Sequence, residues 1–170
     1  MLQLIVFFVS LAILYLLLQG APYVPAKAKG IDQAFMMMKL PAGSTVVDLG
    51  CGDGRVLITA ARRGYKAVGI EIHPLFWLIA WIRTRRYGKQ VKVVYGNLWR
   101  WNLPEATTGI FVFSADAFTT KLEAWLDAQR LRSARPFQLV TFGAELPSRK
   151  GRAGEWGCTL YSYESVTTSK

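Results

Sequence analysis

The chain has 170 residues, room for one domain with a sizeable core and little more. Hydrophobic residues make up 52% and charged ones 19%, which excludes a disordered chain. The net charge of +10 points to a partner carrying negative charge: an anionic lipid surface, a nucleic acid or an acidic protein.

Residues 2–18 read LQLIVFFVSLAILYLLL, with no charge and only Gln3 and Ser10 as polar interruptions. They explain much of the mean hydropathy of +0.22. As a helix the run reaches about 25 Å, short but near the length that spans a bilayer. A cleaved signal peptide is disfavoured: nothing basic precedes Leu4, no small-residue cleavage site follows, and Pro22 and Pro25 crowd the exit. A buried core helix is disfavoured too, since the run is apolar all round. The expectation is an uncleaved signal anchor over residues 1–19 and a linker over 20–26, with one domain over 27–170. Lys27 and Lys29 follow the anchor, as does every charged side chain. The positive-inside rule then puts the domain on the cytoplasmic side of a single-pass membrane protein.

Cys51 and Cys158 are the only cysteines and His73 the only histidine. No metal spacing, disulfide framework or histidine-based triad is implied. After the Pro-punctuated segment APYVPA, residues 27–39 predict a helix with Ile31, Ala34, Phe35 and Met38 on one face. TVVDL at 45–49 predicts a buried strand, 54–63 a helix ended by Gly64, and 66–72 a second strand. A helix over 74–87 opens with Pro74, suited to its first position. Strands follow at 91–95 and 109–114, then a helix at 119–133, a strand at 137–142 and an extended stretch at 158–166. Strands alternating with helices predict an α/β fold with a parallel, doubly wound sheet.

The stretch VVDLGCGDGR, residues 46–55, carries the chemistry. It lacks the phosphate-loop pattern, and Arg55 stands where a dinucleotide fingerprint needs its third glycine. Its spacing is G-x-G-x-G, with Asp48 before it and Asp53 inside it. Two carboxylates are poor neighbours for a pyrophosphate and good ones for a cation. S-adenosylmethionine, with a sulfonium and an α-ammonium and no phosphate, is such a ligand. The helix starting near Gly54 suits its carboxylate. Glu71 ends the second strand 21 residues after Gly50, where an acid binds ribose hydroxyls in Rossmann-like sheets.

With those residues on the page, VVDLGCGDGRVLITAARRGYKAVGIEIHP resembles the first two motifs of class I S-adenosylmethionine-dependent methyltransferases. The chain further resembles the membrane-anchored lysine methyltransferases acting on the ATP synthase C subunit and the adenine nucleotide translocase, and their prokaryotic relatives. The narrower likeness rests on the N-terminal hydrophobic helix, PYVPA at 22–26, the aromatic and Arg-rich PLFWLIAWIRTRRYG, and GNLWRWNL at 96–103. It covers about residues 2–115, and 136–166 loosely. It implies that Asp48, Gly50, Cys51, Gly52 and Gly54 line the methionine end of the cofactor. Glu71, with Ile72 beside it, would hold the ribose, and Leu98 and Trp99 would flank the adenine. Tyr23 and Pro25 would lie in a loop closing over the cofactor. Asn97 stands where the family has an acid near the adenine amino group. An amide still accepts that hydrogen bond, so altered strength rather than loss is expected. FSADAF at 113–118 departs further, and no substrate residue is carried over there.

The resemblance implies transfer of a methyl group to an amine, most readily a membrane-protein lysine. An amine-headed lipid, or a cofactor-binding module without turnover, are the alternatives. Asp116, the one carboxylate expected at the open end of the fourth strand, could take the amine's proton, or else cap a helix. No N/D-P-P-Y/F signature follows that strand and no cysteine sits in a catalytic loop, which disfavours nucleic acid. MMM at 36–38 and the aromatics Phe76, Trp77 and Trp81 read as core packing, and His73 as a loop residue. Arg83, Arg85, Arg86 and Lys89, with Arg149, Lys150 and Arg152, read as solvated surface or as contacts to anionic headgroups. The expected strand order is 3-2-1-4-5 plus a terminal strand or hairpin. Only LWRWNLPEATT joins the third and fourth strands, too short for a full crossover helix.

Overall fold

The computed structural model describes residues 1–17, 27–132 and 135–164. The apolar N-terminal run forms α1 (Leu2–Leu17), and its described side chains are exposed, Leu2 at 75% and Phe8 at 64%. The hydroxyl of Ser10 donates to Val6 O (2.8 Å), so this polar residue is satisfied within its own helix. Sixteen residues reach about 24 Å, short of a hydrocarbon core of about 30 Å. No helix among the described residues is long and apolar enough to cross a membrane, so the transmembrane span expected over 1–19 is not supported. The expected linker 20–26, with Tyr23 and Pro25, lies outside the described residues.

The domain follows in order: α2 (Ala28–Met38), β1 (Thr45–Leu49), α3 (Arg55–Arg62), β2 (Lys66–Glu71), α4 (Pro74–Thr84), β3 (Val91–Tyr95) and β4 (Thr107–Ser114). Then come α5 (Thr119–Arg132), β5 (Phe137–Gly143), β6 (Arg152–Ala153) and β7 (Cys158–Tyr163). The sheet order is β3-β2-β1-β4-β5-β7-β6. Strands β1 to β5 are parallel, and β7 runs antiparallel to β5 with Phe142 opposite Cys158. The expected 3-2-1-4-5 order and terminal strands are therefore present. The short β3–β4 connection holds only a 3-10 turn, Leu98–Arg100.

The pleat sorts side chains into two cores. Val46, Phe111 and Val140 pack with Ile31, Phe35 and Met38 of α2 and with Leu57 of α3. Their neighbours Val47, Ile110 and Leu139 pack with Leu122 and Leu126 of α5. A central sheet covered on both faces explains why β1 is buried at every position.

Four expectations shift. β4 begins at Thr107 rather than 109: polar Thr107 precedes the apolar run, yet it is buried and pairs with Thr45. α4 stops at Thr84; the chain continues as a 3-10 segment kinked at Gly88 (φ 53°). Trp81 is not core. It is 48% exposed with Leu75, Leu78 and Ile82, and Ala80 and Thr84 are the buried residues of α4. Of the three methionines, Met37 and Met38 are buried and Met36 is exposed.

Gly69 of β2 is held in a tight approach to the loop after β1 and to α3. A Cβ built there would lie 2.6 Å from Leu57 Cδ1 and 2.7 Å from Cys51 Sγ. Gly69→Ala should overpack this core by about 1–3 kcal/mol and lower the melting temperature by several degrees, as read by far-ultraviolet circular dichroism. An unchanged melting temperature would mean that the Cys51 loop is free to retreat.

Candidate active site

The parallel strands deliver their C-terminal ends to one edge, where open α/β sheets bind ligands. From Leu49 the chain turns through residues 50–54 into α3. Gly50, Gly52 and Gly54 have φ of 79°, 52° and 78°, left-handed values that glycine adopts without penalty. Gly50 N–H and Cys51 N–H both donate to Ile70 O (2.9 and 3.0 Å), and Gly54 N–H donates to Cys51 O (2.9 Å). The loop is thus tied to β2. A Cβ on Gly50 would meet nothing within 4 Å, so the backbone there faces open space. At Gly54 a Cβ would sit 3.2 Å from Ala80 Cβ, so that glycine serves the packing of α3 on α4.

Glu71, 8% exposed, closes the arrangement. Its Oε2 accepts from Gly52 N–H and its Oε1 from His73 N–H, both at 2.8 Å. A carboxylate offers about four lone-pair sites, so acceptor capacity remains for hydroxyl donors. Asp48, 3% exposed, lies behind the loop at the end of β1. Burial, then the charges of Glu71 and Asp53, push its carboxyl well above the ordinary range. A cation arriving there would favour the ionised form of Asp48.

Asp53 plays a different part from the one its place in the loop implied. Its Oδ1 accepts from Arg55 Nε (3.0 Å), and its Oδ2 pairs with Arg83 from α4. Burial raises its pKa, but hydrogen bonds from Arg55 and Arg83 together outweigh that, and the carboxyl sits below its usual range. It is a clamp between the glycine loop and α4.

The other candidates separate. The Cys51 thiol is buried in the core against Gly69 and Leu57, and burial raises its pKa; only its backbone borders the loop. Ile72 is half-buried just past Glu71. Asn97 caps the turn after β3: its Oδ1 accepts from Trp99 N–H (3.0 Å). An amide oxygen has two lone pairs, so one acceptor position remains there, where a carboxylate would keep more. Leu98 and Trp99 are half-buried against the α5-side core, with Lys121 Nζ 4.4 Å from the centre of the Trp99 ring. Asp116 is exposed just past β4; the turn there is capped by Ala115 without a side-chain bond, so Asp116 is not serving as a cap. His73 lies in the bend between β2 and α4, as expected, and is buried there; its Nδ1 finds no partner among the described residues. No group of metal-binding side chains occurs among the described residues.

Because Asp48 keeps its proton when folded at pH values where the unfolded chain has lost it, stability associated with it is complete at acid pH. That stability is lost as pH rises through the raised pKa. Asp48→Asn should therefore melt at a higher temperature than the parent at pH 8, with the difference shrinking toward pH 4. A variant less stable than the parent at pH 8 would show that the carboxylate is favourably paired.

With the geometry established, comparison places the chain among known proteins. A family model described as the ANTKMT methyltransferase domain matches residues 48–143, more than half of the chain. The human lysine N-methyltransferase of the ATP synthase C subunit is 33% identical over 118 residues, covering 67% of this chain and 49% of that protein. A protein-lysine N-methyltransferase of Saccharolobus islandicus is 37% identical over 90 residues, covering 51% and 56%. The chain spans about half the length of the curated relatives it matches. In three dimensions it resembles an RNA methyltransferase from Salinibacter ruber crystallised with S-adenosyl-L-homocysteine. The TM-score is 0.72 at 24% identity, over 82% of this chain and 92% of that one, a likeness of fold. The parallel sheet, the glycine loop and the matched domain together establish that the chain belongs to the ANTKMT methyltransferase domain family.

Proposed function

We propose that this protein binds S-adenosylmethionine and transfers its methyl group to a lysine amine of a membrane protein. The observation that carries the reading is the glycine loop, open above Gly50 and backed by the buried acids Asp48 and Glu71. The residues fit the cofactor. Open space above Gly50 admits its methionine end, and Asp48 offers charge to the ammonium. Glu71, already held by two amides, has lone pairs left for ribose hydroxyls. Ile72, Leu98 and Trp99 supply apolar surface beside Asn97 for the adenine. The names of the curated relatives support lysine as the acceptor.

Bound, the cofactor supplies an activated sulfonium methyl. In the transfer the S–CH3 bond breaks, an N–CH3 bond forms, and S-adenosylhomocysteine leaves. The amine must first give up one proton, and desolvation beside a sulfonium lowers its pKa. Asp116, exposed past β4, is the carboxylate proposed to receive it. The rest is alignment and exclusion of water.

Location at a membrane is supported by two surfaces. α1 presents apolar side chains outward along its described length. α4 exposes Leu75, Leu78, Trp81 and Ile82, followed by Arg85, Arg86 and Lys89. Apolar side chains next to cations suit the boundary of an anionic bilayer. In this reading α1 and its flanking residues anchor the chain, with the domain on the cytoplasmic side.

Calorimetry should show S-adenosylmethionine binding that is weakened at least tenfold by Glu71→Ala, which removes two buried charge-assisted hydrogen bonds. Above the ordinary carboxylate range, binding should release a proton and tighten as pH rises, because the arriving cation favours ionised Asp48, whose pKa burial raises in the free protein. Asp48→Asn should abolish that release. No binding heat at millimolar cofactor would reject the reading.

Deleting residues 1–19 should leave cofactor affinity nearly intact. Methylation of a membrane-embedded acceptor should fall by an order of magnitude or more, as confinement to one layer is lost. A truncated chain that labels membranes at the full-length rate would reject the anchoring role.

A further inference from the structure

Trp156 is held in an uncommon way. It lies in the 3-10 turn Glu155–Gly157 between β6 and β7, with φ 61° and ψ 22°. Bulky L-residues seldom adopt that left-handed conformation, and such outliers concentrate at functional sites. The turn is closed by Gly154 N–H donating to Cys158 O (2.8 Å). An indole kept 45% exposed there does little for the core.

Its position is at the ligand-binding edge. Cys158, two residues on, pairs with Phe142 at the C-terminal end of β5. The Phe142 ring packs so closely on Gly30 of α2 that a Cβ there would lie 2.3 Å from it and 3.5 Å from Trp156 Cβ. Phe113, 37% exposed at the end of β4, has its ring 6.5 Å from that of Phe142. Aromatic rings thus run along the edge from β4, the neighbour of β1 and its glycine loop, to the turn before β7. A cation already uses the last of them: Lys29 Nζ, from the first turn of α2, stands 5.3 Å from the Trp156 ring centre.

We propose that Trp156, with Phe142 and Phe113 behind it, is the seat for the acceptor lysine's ammonium, and that Lys29 fills this seat in the free protein. The inference rests on the amine-acceptor reading above. Lysine is cationic at neutral pH, and an indole face attracts a cation without hydrogen bonding. Methylation removes N–H donors and keeps the charge, so the same face holds substrate and methylated product alike. A carboxylate seat would lose a hydrogen bond with each methyl added. Lys29 supplies the same chemistry from within the chain, so an acceptor must displace it.

The test uses the full-length chain in two measurements. The first is fluorine NMR of protein labelled with 5-fluorotryptophan, the Trp156 signal being assigned by its loss in Trp156→Phe. Tetramethylammonium should shift that signal saturably, and Lys29→Gln should tighten the binding about threefold. The second is methyl transfer to membranes of the source organism. Trp156→Ala should raise the acceptor KM about tenfold, with kcat and S-adenosylmethionine affinity unchanged, and Trp156→Phe should restore most of it. Lys29→Gln should lower the acceptor KM, a direction that structural damage does not produce. A parent chain that labels lysine, with KM unmoved in these variants and no shift of the Trp156 signal, would overturn the seat. A parent chain that labels no lysine would instead overturn the acceptor reading, whatever the NMR shows.

Discussion

The grip of the Glu71 carboxylate on Gly52 N–H and His73 N–H is the constraint on which the site depends. One side chain at the end of β2 holds both the glycine loop after β1 and the turn that starts α4. Each bond is charge-assisted and buried, which makes it stronger than a neutral one. The loop needs such a hold, because three left-handed glycines have little conformational preference of their own. Two further amides bind Ile70 O, so the cofactor edge of β1 is registered on β2 before any ligand arrives.

That order has an electrostatic cost concentrated at Asp48. Its burial beside Glu71 raises its pKa and leaves a site poised for a cation. Asp53 avoids the same fate because Arg55 and Arg83 neutralise it. Asp53 thereby serves the packing of the loop on α4. The helix carrying the exposed Trp81 and Ile82 is thus braced on the cofactor loop.

The remaining surface is organised by the sheet. Parallel strands put every functional end on one edge, while antiparallel β7 returns the chain to that edge beside β5. The turn before β7 thereby brings Trp156 next to α2, whose first turn carries Lys29. Residues 127 positions apart in the chain (156 − 29) meet because of this one reversal.

The sequence by itself determined the elements and their order. The apolar runs of β1, β2 and β3 and the helix-period face of α2 are local patterns, and the extents of β1 and β3 agree with those patterns to the residue. The glycine spacing with Asp48 and Glu71 was legible for the same reason: a loop and a strand end are short-range features. Tertiary structure decided what each polar group does. Asp53 looked like a ligand acid until Arg83, thirty residues away, paired with it. Trp81 fitted a core stripe, yet α4 buries only Ala80 and Thr84, and Ala80 is the residue that meets Gly54 of the loop. Trp156 gave no local signal, because its backbone conformation and its aromatic neighbours come from strands that meet only in the folded sheet. Periodicity reports which face a residue takes, and long-range pairing decides which partner waits there.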